Sequence, residues 1–142
     1  MFEQFKSWAT SAHKSGTDMF TSSLVPLSDV QIKTVFNQGV HDIAKYSRNG
    51  RSVYIKHVYL NRLHDTVKPN ISASDIDFFR SLDQIFQYCY VLVYVKCTRS
   101  NKYDTAFFLD DYEAIKGISK SEAIQRQTDL TSIARIIRSE LL

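Results

Sequence analysis

The stretch from Tyr88 to Cys97 limits what this chain can fold into more than any other. It reads Tyr-Cys-Tyr-Val-Leu-Val-Tyr-Val-Lys-Cys, an aromatic and β-branched run with a single charge near its end. A strand turns alternate side chains to opposite faces, so a run apolar at successive positions predicts a central strand covered on both sides. Arg99-Ser100-Asn101-Lys102 supplies a turn, and Tyr103 to Leu109 returns as a second strand, giving a hairpin over about 88–109.

The other elements are read from periodicity and caps. Phe2, Phe5, Trp8, Ala9 and Ala12 recur at helical spacing and predict an amphipathic helix over 2–14, joined by a connector to residue 27. Ser28-Asp29-Val30-Gln31 matches a capping box, and Ile32, Val35, Phe36, Val40 and Ile43 then fit one helical face. That helix is expected to end near Tyr46, before Asn49-Gly50. Residues 52–60 are β-branched and aromatic, which favours a strand over a helix. Ser74 is read as the cap of a third helix, and Ser119-Lys120-Ser121-Glu122 as the start of a long final helix over 120–140. The expected fold is α+β: a small, mostly antiparallel sheet packed by helices. An N-terminal arm (1–27) precedes a single domain (28–142).

Composition narrows the function classes. The 142 residues carry 44% apolar and 23% charged side chains, ordinary values for a packed chain, and Gly 4 and Pro 2 are too few for a turn-rich sandwich. No window is apolar enough to span a membrane, and the N-terminus lacks the form of a secretory signal. Cys89 and Cys97 lie on one extended stretch without metal-finger spacing, so free thiols in a reducing cytoplasm are expected. The net charge of +3 is uneven, with nine Lys/Arg against five Asp/Glu in residues 1–71.

Candidate sites follow from these features. Phe2, Phe5 and Trp8, with Leu130, Ile137 and Leu141 at the other end, are candidate contacts to a protein partner or a second copy, since apolar anchors dominate such interfaces. They carry the leading expectation, a non-enzymatic interaction or assembly protein. The alternative is nucleic-acid binding through residues 45–68. There Lys45, Arg48, Arg51, Lys56 and Arg62 would meet phosphates, and Tyr54 and Tyr59 would stack on bases. A second alternative is a metal-dependent nuclease using Asp83, Lys96 and Asp110-Asp111, although Lys96 lacks an acid two residues before it. His57 and His64 make a poor metal pair without a third ligand. No cofactor, metal or small-molecule substrate is called for by any motif, and isolated glycines exclude a phosphate-cradling loop.

Overall fold

Alternation, more than any single segment, decides the architecture. The computed structural model describes residues 27, 29–37 and 40–141, without the side chains at 34, 36, 37 and 40–42. The expected helix over 2–14, with Phe2, Phe5 and Trp8, lies outside the described residues.

A meander opens the fold: β1 (Gln31–Asn37), β2 (Val40–Arg48) and β3 (Arg51–Leu60), each antiparallel to the next. This corrects the helix expected from Ser28 to Tyr46. Val30 and Ile32 are buried while Gln31 and Lys33 are exposed, the period-two pattern of a strand with one face on a core. Asn49 and Gly50 have φ of 52° and 81° and lie between the paired Arg48 and Arg51. They form a two-residue hairpin turn, not a helix end, because positive φ at both positions matches the twist of paired strands.

The chain then crosses the sheet through β4 (Thr66–Val67) and α1 (Ala73–Gln84) to reach β5 (Cys89–Val95), which runs parallel to β3 from Tyr54↔Cys89 to Leu60↔Val95. Ser72, not Ser74, caps α1. Its Oγ accepts from the Asp75 backbone N–H at 3.1 Å, and the Asp75 carboxylate accepts from the Ser72 N–H at 2.9 Å. The hairpin from β5 to β6 (Thr105–Leu109) is antiparallel as expected.

After β6 come α2 (Asp111–Lys116), β7 (Ile118–Ser119), α3 (Lys120–Arg126), β8 (Thr128–Asp129) and α4 (Leu130–Glu140). The single long final helix is therefore broken. Gln127 is extended, Thr128 and Asp129 pair with β6, and the Asp129 carboxylate caps α4 by accepting from Ser132 N at 2.8 Å. A β-branched residue followed by a capping residue stops one helix and starts another.

The main sheet has six strands in the order β1-β2-β3-β5-β6-β8, larger than expected and mixed, with β3 and β5 as its parallel pair. Cys89, Val91, Val93 and Val95 face one core with Phe79, Leu82, Ala114 and Ala123, from α1, α2 and α3. Leu92 and Tyr94 face the other with Leu130, Ile133, Ala134 and Ile137, from α4. β5 is thus covered on both sides, as its unbroken apolar run demanded.

Candidate functional site

Two parallel strands side by side open their carboxyl ends in one direction, and the loops that leave them shape a crevice there. Lys96 N donates to Leu60 O at 3.0 Å, fixing the mouth where β3 and β5 end. Asn61, Arg62, His64, Asp65, Lys96 and Lys120 line a cavity of about 560 Å³ at this point. Tyr103 holds one wall: its hydroxyl donates to Asn61 Oδ1 at 2.7 Å, and the Lys96 ammonium lies 5.9 Å from its ring centroid. Burial pushes the Tyr103 phenol above its ordinary value, so it stays a neutral donor.

Lys120 comes from far along the chain. β4 and β7 pair antiparallel, Thr66↔Ser119 and Val67↔Ile118, and Lys120 N donates to Asp65 O at 3.0 Å. Gly117 permits the approach. Its φ is +90°, and a Cβ there would meet Thr66 Cγ2 at 3.1 Å and Val67 O at 3.2 Å. Arg62, Lys96 and Lys120 make no ion pair with a carboxylate among the described residues. Three cations against one carboxylate, Asp65, leave this concave surface with a positive excess that attracts a polyanion.

The predicted basic segment is divided by the strand that carries it. Lys45, Arg48 and Arg51 line a shallow groove at the β2–β3 turn, roughly 30 Å along β3 from Arg62. Arg48 is engaged there: its Nε donates to Asp29 at 2.8 Å, and Arg138 holds the other oxygen of that carboxylate. The two guanidinium groups draw the Asp29 carboxyl down to about 2. Lys56 is buried beneath α1, 3.2 Å from the Asp75 carboxylate, and cannot reach a phosphate. The two tyrosines point to opposite faces. Tyr54 packs edge-on against Phe78, and Tyr59 stacks on Tyr94 with centroids 4.6 Å apart. Their rings are occupied by the protein's own aromatics, which corrects their expected role on bases.

The two histidines do not meet. His64 is exposed in the crevice, whereas His57 lies inside the opposite face between the Tyr46 hydroxyl, 2.9 Å from Nε2, and the Tyr94 hydroxyl, 2.7 Å from Nδ1. Burial, with the neighbouring Lys56 charge, pushes the His57 imidazole down to about 3, while burial pushes both phenols up. This is a neutral structural relay.

The predicted nuclease set does not converge either. Asp110 caps α2, accepting from Glu113 N at 2.7 Å, and follows Leu109, which pairs with Val91 at the opposite end of β5 from Lys96. Asp83 sits exposed at the end of α1. Among the described residues no three His, Cys, Asp or Glu side chains are placed to hold a metal ion. The buried Asp75 Oδ1 has no hydrogen-bond partner among the described residues.

The apolar chain-end contacts need correction. Leu130, Ile137 and Leu141 are exposed by only 2%, 1% and 1%, and all three belong to the core beneath α4. They stabilise this chain's own sheet and present nothing to a partner. Both cysteines are free thiols, Cys89 buried and Cys97 half-buried. Backbone and hydroxyl hydrogen bonds from Ser100, with the Arg99 backbone, lower the Cys97 thiol below its ordinary value.

No protein-family model and no curated protein matches this sequence. In structure the chain is similar to the Holliday junction resolvase Hjc of the archaeal hyperthermophile Archaeoglobus fulgidus. The TM-score is 0.52 at 11% identity, over 82% of this chain and 97% of that one. At that identity the likeness establishes the fold. It runs against the expectation of a non-enzymatic assembly protein, since the structure matched is that of a resolvase. No described helix is long and apolar enough to cross a membrane.

Proposed function

We propose that this chain takes nucleic acid as its substrate, held in the crevice at the carboxyl ends of β3 and β5. One observation carries the reading: Arg62, Lys96 and Lys120 converge on that crevice from three separate segments, none of them neutralised by a described carboxylate. Cations that meet phosphates release counterions, which favours binding of a nucleic-acid backbone along the crevice. Tyr103 and Asn61 keep Lys96 and the β3 end in place, and the β4–β7 pair keeps Lys120 in place. The resolvase-like fold supports nucleic acid over other polyanions.

The test is equilibrium binding of labelled duplex and branched DNA between 50 and 200 mM salt. Three phosphate contacts give a log–log slope of about −2.7, and each of Arg62→Ala, Lys96→Ala and Lys120→Ala reduces it by about one. Binding that ignores salt, or a triple variant that binds like the parent, refutes the proposal. The same samples, incubated with divalent metals, report strand cleavage. Asp65, the carboxylate on the crevice wall, is replaced by Asn to ask whether any cleavage arises there.

A further inference from the structure

Phe86 is the most exposed of the large apolar side chains described, at 87%, and it sits where glycine belongs. α1 ends in a Schellman motif: Phe86 N donates to Asp83 O at 3.1 Å and Gln87 N to Leu82 O at 2.9 Å. The residue after the cap in this motif is left-handed, and Phe86 has φ 58°. A Cβ is strained in that conformation, which is why glycine is the common occupant. The chain thus bears two costs at one position, backbone strain and an unburied phenyl ring, with no packing in return. Strain of this kind clusters at functional sites.

The surroundings of the ring are specific. Phe86, Tyr88 and Tyr90 line a groove of about 440 Å³ with Arg51, Ser52 and Glu140. Tyr88 is itself 63% exposed. Arg51, exposed at the β2–β3 turn, makes no ion pair among the described residues, and Lys45 lies in the groove on its other side. Glu140 is the carboxylate that lines the groove, and no ion pair joins it to Arg51 among the described residues. The loop is held to β3, with Tyr54 N donating to Tyr88 O at 3.3 Å and Ser52 Oγ meeting Gln87 Oε1 at 3.5 Å.

We propose that this groove is a docking subsite for an unpaired strand of nucleic acid, a base stacking on Phe86 and Tyr88 while Arg51 meets the adjoining phosphate. A phenyl ring held clear of the protein offers its face to a flat partner such as a base, and the cation beside it favours an anionic one. A base inside a duplex has its faces covered, so the subsite distinguishes unpaired from paired strands. The inference rests on the functional reading above and adds a substrate class to it.

Fluorescence anisotropy with a labelled single-stranded oligonucleotide and a blunt duplex of the same sequence tests it, using the parent chain, Phe86→Gly, Phe86→Tyr and Lys120→Ala. Phe86→Gly should weaken single-strand binding about tenfold, the size expected of one lost stacking contact. It should leave duplex binding unchanged and keep the thermal midpoint at or above the parent's. Phe86→Tyr should retain parental affinity, and Lys120→Ala should weaken both probes. If Phe86→Gly binds the single strand as the parent does, the subsite is wrong and the crevice reading stands. A change in mass by light scattering with strand affinity unaltered also overturns it, in favour of a protein contact. A parent chain that binds neither probe overturns the functional reading and this inference with it.

Discussion

Consider His57→Gln, followed by urea unfolding at pH 7, 6 and 5. The imidazole is enclosed between Tyr46 and Tyr94, one hydroxyl 2.9 Å from Nε2 and the other 2.7 Å from Nδ1. A neutral ring has one donor and one acceptor nitrogen and satisfies both hydroxyls, one as donor and one as acceptor. A protonated ring has two donors and a charge that burial does not solvate, so the folded chain resists the proton and the imidazole falls from 6.5 to about 3. Above pH 6.5 neither state binds that proton and the contribution to stability is complete. Below pH 6.5 the unfolded chain takes up a proton that the folded chain refuses, so stability falls as pH drops through the window from 6.5 toward 3.

The slope follows from linkage, at about 1.4 kcal/mol per pH unit for one proton, so the loss from pH 7 to pH 5 is about 2 kcal/mol. That is a large part of the roughly 5–15 kcal/mol that holds a typical domain together. Glutamine keeps a donor and an acceptor between the two phenols and does not titrate. Its absolute stability is lower if the amide fits poorly, but its pH dependence lacks the His57 contribution. The carboxylates and other histidines titrate alike in both proteins, so the difference in slope isolates His57. Equal slopes in parent and variant would refute the reasoning, because the folded chain would then accept the proton as readily as the unfolded one.

Lys56→Met leaves the buried Asp75 carboxylate without its cation and should cost about 3–5 kcal/mol in urea unfolding. Adding Asp75→Asn should recover part of it, since a neutral amide oxygen there can still accept from the Ser72 N–H. Gly117→Ala forces a Cβ into a left-handed backbone against Thr66 and Val67, and should cost about 1–2 kcal/mol, with hydrogen exchange rising first in β4 and β7. Asp110→Ala should cost about 1 kcal/mol through the lost α2 cap and leave nucleic-acid affinity and any cleavage unchanged. Loss of cleavage in that variant would restore Asp110 as a reacting group.

What the sequence disclosed and what it hid both have physical causes. The β5–β6 hairpin was legible because Val91 to Val95 are apolar at every position, a pattern that only a strand covered on both faces needs. The β1–β2 pair was not. Ile32, Val35 and Ile43 fit a helical stripe, and the Ser28 cap agreed with it, while the competing signal was the short alternation of Val30 and Ile32 with Gln31 and Lys33. Asn49-Gly50 takes positive φ at both residues and forms a hairpin turn, not the helix end expected there, because one dipeptide serves both. The break at Gln127 was carried by Thr128-Asp129, a stop and a cap packed into two residues within an otherwise helical pattern.

The site was less legible than the fold, and the reason lies in strand geometry. Residues 45–68 look like one basic, aromatic patch when written as a line. A strand sends neighbours to opposite faces and advances about 3.3 Å per residue, so Lys56 goes under α1, His57 goes against Tyr94, and Arg51 and Arg62 part to opposite ends. The crevice is assembled instead by the parallel pairing of β3 with β5, which brings Lys96 beside Arg62, and by the two-residue pairing of β4 with β7, which brings Lys120. Neither pairing leaves a periodic trace in the sequence. The one local signal for the second was Gly117 ahead of Ser119-Lys120, a glycine whose positive φ lets β7 lie against Thr66 and Val67. Local pattern can therefore locate the strands that carry such a site, but the convergence of its cations depends on contacts between segments far apart in the chain. The crevice variants accordingly should be paired with Gly117→Ala: if Lys120 acts on phosphate only because β7 holds it there, that substitution weakens DNA binding while leaving every cation in place.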